Sequence, residues 1–266
     1  LLIFQMNKTV IIKKKIDCFN KKISVQGDKS LSIRCALIAS QALGVSKVYN
    51  LLESEDVKST LKTLRKLGIK IVYKKNYYEI YGNGLNGFSF SNNTIINAQN
   101  SGTLARLILG VLAKSNNSVI LKGDNSLAKR DFSRVIKPLN YFGVKIKSNN
   151  NKLPIQFKGT QFLKPIFFEE LKGSAQVKSC IMLAALNSPG TTKIKCIPSR
   201  DHTERFFNHI KVPIKKTREK EFDIIEVKGQ KQYKSFNYKI PGDISSAAFF
   251  IVLTLLSKDS KILIKN

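Results

Sequence analysis

The chain has 266 residues, enough for one or two domains with a full core, and its 42% hydrophobic content excludes a disordered protein. Lysine and arginine outnumber aspartate and glutamate by 46 to 18, a formal net charge of +28. The basic residues are spread through every segment rather than gathered in one stripe, so the excess reads as compositional bias that still draws small anions, in preference to a nucleic-acid-binding face.

In chain order, Thr9 to Ile16 alternates as a strand does, and Asp17 to Asn20 reads as a turn. Lys22 to Gln26 is strand-like and runs into Gly27-Asp28-Lys29-Ser30-Leu31-Ser32-Ile33-Arg34. Gly27 permits a tight turn, Asp28 or Ser30 can cap it, and Leu31, Cys35, Leu37, Ile38 and Leu43 follow with helical spacing. A helix start with free N–H groups, the cations Lys29 and Arg34, and the Ser30 hydroxyl points to an anion, most simply phosphate. Taken alone, the stretch is explained better by a capped helix with solvated charges. A strand over Lys47–Leu51, an amphipathic helix over Asp56–Leu67 stopped by Gly68, and strands over Ile69–Tyr73 and Tyr77–Tyr81 finish the first unit.

The plan then recurs about every 70 residues, a period far longer than that of a solenoid. Strand Thr94–Ala98 leads to Asn100-Ser101-Gly102-Thr103 and the helix Leu104–Ala113, then strand Ser118–Lys122, helix Phe132–Phe142, and strands Val144–Lys147 and Pro154–Phe157. Gly173-Ser174-Ala175-Gln176 opens the helix Val177–Leu186, followed by strand Thr192–Ile197, helix Asp201–Ile210, and strands near Pro213–Lys216 and Asp223–Val227. A fourth copy starts at Tyr238, with Gly242-Asp243-Ile244-Ser245-Ser246 opening the helix Ala247–Leu256, and breaks off at Asn266. Three copies of strand, helix, strand, helix, strand, strand make one α/β domain with internal pseudo-threefold symmetry, and the chain reads as truncated. Several buried helices whose starts all carry hydrogen-bond donors suggest one shared anion site.

The four cysteines, Cys18, Cys35, Cys180 and Cys196, form no Cys-x-x-Cys pair and read as free thiols of a reducing compartment. His202 and His209 match no metal-ligand spacing. No apolar run approaches a membrane span, and Leu1 to Phe4 is too short for a signal peptide.

Six stretches, in order, resemble the 5-enolpyruvylshikimate-3-phosphate (EPSP) synthase family: Gly27 to Ser30 with Arg34; Asn100 to Thr103 with Arg106; Gly123-Asp124-Asn125-Ser126-Leu127 with Arg130; Ser174 to Ser179; Pro198 to Arg205; and Pro241 to Phe250. The resemblance implies an enolpyruvyl transferase-like fold of two inverse α/β domains, each of three βαβαββ units. Residues 22–238 would form the complete domain, and residues 1–21 with 239–266 part of the other. It implies transfer of the enolpyruvyl group of phosphoenolpyruvate to the 5-hydroxyl of shikimate 3-phosphate, in the route to chorismate and aromatic amino acids. It implies no metal, no organic cofactor, no nucleic acid and no membrane, a cytoplasmic monomer when full length, and a target of glyphosate.

By motif position, Lys29 would touch both substrates at the reacting centre. Lys29, Ser30, Arg34, Ser174, Ala175, Gln176, Ser199 and Arg200 would bind shikimate 3-phosphate. Lys29, Asn100, Gly102, Arg130 and Gln176 would bind phosphoenolpyruvate. The carboxylates of proton transfer, and further cations, lie in a family region beyond residue 266, so these residues alone would be inactive. Two departures stand out: Gln26 replaces a proline usual before the loop, and Asp131 replaces a frequent proline after Arg130, where an acid would weaken that arginine's field. A UDP-N-acetylglucosamine enolpyruvyl transferase is the alternative within the fold, but it carries asparagine after the loop lysine where this chain has Ser30, and a cysteine that Gly123 to Arg130 lacks. Arg106, inside an apolar helix, reads as structural. Asp201 with Glu204 reads as a capping box, and a helix cap explains Asp243, Ser245 and Ser246 as well as the motif does.

Overall fold

The computed structural model describes residues 16–265. The strand expected over Thr9–Ile16 lies outside them except for Ile16, which is in no strand. The chain opens with β1 (Asn20–Ser24). The first repeat holds α1 (Lys29–Ala39), β2 (Leu43–Tyr49), α2 (Glu55–Lys66), β3 (Lys70–Lys74) and β4 (Tyr77–Asn83). The second holds β5 (Thr94–Asn97), α3 (Gly102–Val111), β6 (Ser118–Lys122), the four-residue α4 (Asn125–Ala128), α5 (Ser133–Tyr141), β7 (Lys145–Ser148) and β8 (Ile155–Lys158). The third holds β9 (Phe167–Glu170), α6 (Ala175–Ala185), β10 (Thr191–Cys196), α7 (His202–His209), β11 (Ile214–Glu219) and β12 (Phe222–Lys228). Then come β13 (Asn237–Lys239), α8 (Ile244–Leu256) and β14 (Lys261–Lys265).

The chain divides into two compact units, one of residues 27–241 and one holding residues 16–26 with 242–265. In the larger, each repeat has one four-stranded sheet: β13-β2-β4-β3, β5-β6-β8-β7 and β9-β10-β12-β11. In each, one parallel pairing meets two antiparallel ones. The helices α1, α3 and α6 form the centre. Leu37, Leu107, Ile108 and Ile181 are fully buried, as expected of helices that are apolar on most faces. The outer helices α2, α5 and α7 bury one face each, with Leu61 and Leu64, Val135 and Leu139, and Phe206 and Phe207 turned inward.

The carbonyl ends of the central helices close in one repeated way. A Cβ on Gly82 would sit 2.3 Å from the carbonyl oxygens of Ala39 and Ala42, on Gly159 2.7 Å from those of Leu112 and Ala113, and on Gly229 2.2 Å from that of Ala185. Each glycine lies at or just past the last strand of its repeat. The next residue donates its N–H to the helix end: Asn83 to Ser40, Thr160 to Ala113, Gln230 to Leu186. Orphan helix carbonyls are thus satisfied by backbone that only glycine lets come so near.

One expectation needs correction. The strand expected over Lys22–Gln26 forms as β1, but it pairs in parallel with β14, not with the first repeat. That repeat takes its parallel strand from β13, with Asn237 opposite Lys47 and Lys239 opposite Tyr49. Tyr238 therefore completes the first repeat instead of opening a fourth, and the compact units part after Gln26 and Pro241. The reason is composition. β13 brings Tyr238 against Phe206 and is followed by fully buried Ile240, whereas β1 reads Asn-Lys-Lys-Ile-Ser and is mostly exposed. In the smaller unit, α8 stands beside the β1–β14 pair and buries only Ala247 along its length. Among the described residues no helix is long and apolar enough to cross a membrane, and no three His, Cys, Asp or Glu side chains gather as metal ligands.

Candidate functional site

The three central helices begin alike. Asp28, Ser101 and Ser174 each accept a hydrogen bond from the amide three residues on, at 2.7, 3.3 and 3.4 Å. Of the two caps open for the first loop, Asp28 is the one used. Gly27 is fixed by close approach, since a Cβ there would lie 2.0 Å from the Asn50 carbonyl oxygen. Asp28 N–H donates to the Pro241 carbonyl at 2.9 Å.

Side chains tie these starts together. Gln176, in the first turn of α6, donates to Thr103 Oγ1 at 3.1 Å and accepts from Arg106 Nη1 at 3.1 Å, joining α6 to α3. Arg106 also donates to the Gly102 carbonyl at 3.2 Å and lies over the Phe132 ring. This hydrogen-bonded role suits an arginine in an apolar helix, but the same guanidinium edges Gly102. A Cβ on Gly102 would be 2.8 Å from Arg106 Nη1 and 3.1 Å from Arg130 Nη1. Arg130 donates to Asn100 Oδ1 at 2.9 Å, and Asn100 donates to Asp124 Oδ2 at 2.7 Å. So Asn100, Gly102, Arg130 and Gln176 gather, with Arg106 at their centre. Burial, and then the nearby charges of Arg130 and Arg134, push Arg106 below the usual arginine value. Crowded cations of this kind are relieved by a bound anion. Asp131 does not turn on Arg130; its carboxylate accepts from the Ser133 N–H and hydroxyl at the start of α5, and these bonds lower its pKa.

Arg34, 3% exposed, joins α1 to α6 and α7. It donates to Thr203 Oγ1 at 3.0 Å, to the Ser30 carbonyl at 3.1 Å and to Ser179 Oγ at 3.2 Å. Burial lowers its pKa to about 10, against the opposing charge of Glu204. Ser179 and Thr203 share a hydrogen bond of 2.8 Å, and Ser179 donates back to the Ala175 carbonyl at 2.6 Å. The expected capping box on α7 does not form: Asp201 pairs with Arg205 at 2.9 Å, and Glu204, 2% exposed, reaches Lys178 of α6 at 2.6 Å. A buried ammonium needs a counter-charge more than an exposed helix start needs a second cap. Lys178 also donates to the Ser199 carbonyl at 3.3 Å. Arg200 is exposed, and its charge is felt by both Arg34 and His202.

Lys29 stands apart from these groups, 3.1 Å from Asp56 of α2 with its side chain about half exposed. Two groups escaped sequence reasoning. Glu170, 4% exposed, accepts from the N–H groups of Lys172 at 3.2 Å and Ser174 at 2.7 Å, and so shapes the Gly173 turn. The Lys178–Glu204 pair spans two helices. Only an abrupt Glu-Glu after an apolar strand, and a lysine in an apolar helix, could have flagged them.

Three pseudo-equivalent repeats bring arginines and amide donors together at their helix starts, a donor set whose chemistry suits anions. The EPSP synthase (3-phosphoshikimate 1-carboxyvinyltransferase) family model matches residues 13–266, and the chain belongs to that family. It is 43% identical over 258 residues to the 3-phosphoshikimate 1-carboxyvinyltransferase of Ruthia magnifica, covering 97% of this chain and 58% of the relative. It is 44% identical over 241 residues to the enzyme of the same name from Vesicomyosocius okutanii, covering 90% and 54%. A solved structure of EPSP synthase from Acinetobacter baumannii superposes with a TM-score of 0.84 at 34% identity, covering 93% of this chain and 56% of that one. The fold is that of the enolpyruvyl transferases, and the chain spans little more than half the length of these relatives.

Proposed function

We propose that this chain supplies the shikimate 3-phosphate-binding part of a 3-phosphoshikimate 1-carboxyvinyltransferase, which joins that substrate to phosphoenolpyruvate and releases phosphate. The observation that carries the reading is the tying of three helix starts into one donor-rich cluster, by Gln176 between α6 and α3 and by Arg34 between α1 and α6. Both substrates are multiply anionic, and pre-set cations and N–H groups favour them without reorganisation.

In this reading Ser174, Ala175, Gln176, Ser199 and Arg200 take the phosphate and ring of shikimate 3-phosphate, and Ser30 presents its hydroxyl to the ring. Arg34 acts chiefly through Ser30, Ser179 and Thr203, which already engage its guanidinium. Asn100, Gly102, Arg130 and Gln176 take the carboxylate and phosphate of phosphoenolpyruvate. Lys29 exchanges Asp56 for substrate oxygens at the reacting centre, where its charge favours phosphate departure. Proton transfer at the enol carbon needs an acid and a base. No carboxylate of the matched motifs is assigned those tasks, so residues 1–266 alone are expected to bind shikimate 3-phosphate without releasing phosphate from phosphoenolpyruvate. Residues 16–26 and 242–265 belong, in this reading, to a second domain, and the full-length protein is a cytoplasmic monomer that uses no metal or nucleic acid.

Calorimetric titration of the chain with shikimate 3-phosphate, beside a generic oligonucleotide at physiological salt, tests the reading. Saturable binding of shikimate 3-phosphate that weakens with salt is expected. Binding of the oligonucleotide alone would overturn it.

A further inference from the structure

We infer that Lys178 and Glu204 form a lock that positions the Ser199–Arg200 loop to receive the phosphate of shikimate 3-phosphate. The inference rests on the reading of that loop as a phosphate ligand.

The lock has two rungs between α6 and α7. One is the Lys178–Glu204 contact of 2.6 Å, with side chains 0% and 3% exposed. The other is the Ser179–Thr203 hydrogen bond of 2.8 Å, one residue along on each helix. Arg34 braces the second rung from α1, donating to both of its members. The first rung extends outward, because Lys178 Nζ donates to the Ser199 carbonyl at 3.3 Å. Ser199 and Arg200 lie in the strandless run between β10 and α7, so this bond is the side-chain tether of the loop to the core.

Stability alone does not account for the pair. A buried ion pair gains little over apolar side chains of the same volume, because desolvation offsets the attraction. Nor is the pair ideally made. The 2.6 Å contact falls outside hydrogen-bond angles, and neither Glu204 oxygen has a hydrogen-bond partner among the described residues. What apolar side chains cannot do is hold the Ser199 carbonyl. The ionic arrangement also sets two buried cations, Lys178 and Arg34, near the Glu204 carboxylate beneath the loop, with Asp28 acting on Arg34 as well. The Ser199 hydroxyl is itself buried without a partner among the described residues, a donor held ready beside these groups.

The test compares the unmodified chain with the apolar double variant Lys178→Met/Glu204→Leu and the near-isosteric Glu204→Gln. The apolar pair should keep the circular dichroism and melting of the unmodified chain. Its dissociation constant for shikimate 3-phosphate should rise about tenfold or more, because a loop left unpositioned must be ordered on binding. Amide hydrogen exchange at residues 199–201 should quicken by about tenfold in both variants. Affinity within about twofold of the unmodified chain, or unchanged exchange at those amides, would overturn the lock. Should the double variant fail to fold, Glu204→Gln decides by the same exchange measurement. If the unmodified chain does not bind shikimate 3-phosphate, the reading of the site falls, and the lock still stands or falls on exchange at residues 199–201.

Discussion

Helices α1, α3 and α6 share their plan with α8, and their fates differ. All four start at a side-chain cap, Asp28, Ser101, Ser174 or Asp243, and run on as mostly apolar sequence. In α1, α3 and α6 most residues are buried. In α8 Phe249 is 80%, Leu255 79% and Leu256 82% exposed. A cap and an apolar run are local and set where a helix starts. Burial needs neighbours with matching surfaces, and the central helices have one another. They lie side by side in parallel: Arg34 meets Ser179 near the starts of α1 and α6, and Gln41 faces Asn187 at their ends. α8 has β14 as its main neighbour among the described residues of its unit.

The largest effect that would sharpen this contrast is Gly229→Val. Its side chain would collide with the carbonyls of Ser188 and Ala185, at 2.1 and 2.2 Å for the Cβ alone. We expect a loss of roughly 3 kcal/mol or more in urea unfolding, or no folded unit at all. The matching change on the other helix, Phe249→Ser, should leave that stability within about 0.5 kcal/mol and reduce self-association on gel filtration. A fall in stability as large as that of Gly229→Val would show that α8 is packed after all.

Lys29→Met comes next. Its half-exposed pair with Asp56 is worth under about 1 kcal/mol, so melting should barely move. In a protein extended to the relatives' length, turnover should drop by about a hundredfold or more, the scale of losing a fixed charge at a reacting centre. Near-normal turnover would remove Lys29 from the site.

Gly102→Ala should act on binding more than on folding. The new methyl meets the side-chain tips of Arg106 and Arg130 rather than backbone, so these guanidinium groups must shift. In the same extended protein, phosphoenolpyruvate should weaken by about 1–3 kcal/mol, and its competitor glyphosate by more. Unchanged inhibition by glyphosate would place this loop outside the site.

The smallest effect concerns pH. Burial, with the charge of Arg34, holds the half-buried His202 imidazole below its ordinary value, so the folded state favours the neutral ring. Its contribution is complete above the unfolded value of about 6.5 and is lost as pH falls through that value toward the lower folded one. Melting profiles of His202→Gln should be flatter than the parent's over that window. Identical slopes would mean that the ring is solvated.

Much of this was legible in advance because it is local. Caps, glycine stops and apolar spacing placed α1, α3 and α6 within two residues of their observed starts, and the loop motifs named residues that do gather around Gly102 and Ser179. What escaped is long-range. The parallel partner of β2 comes from Asn237–Lys239, about 190 residues away, and local spacing gives no sign of so distant a pairing. The Glu204 carboxylate chose a lysine 26 residues back over its own helix start, a choice fixed by burial rather than by spacing. Lys29 could be placed by motif, but its partner Asp56 belongs to the fold of α2.

The glycine seam at the carbonyl ends bears on how far the repeats can diverge. Gly82, Gly159 and Gly229 let main chain meet main chain, so the closure of each central helix uses no side chain that must match another. A repeat can therefore exchange almost every residue around the seam, as Tyr-Glu-Ile-Tyr before Gly82 against Ile-Gln-Phe-Lys before Gly159 already illustrates, and still close in register. Sequence likeness among the three repeats can fade to a glycine and a cap while their geometry stays superposable. A search for internal duplication in such a chain should look for those two marks before it looks for similar strands.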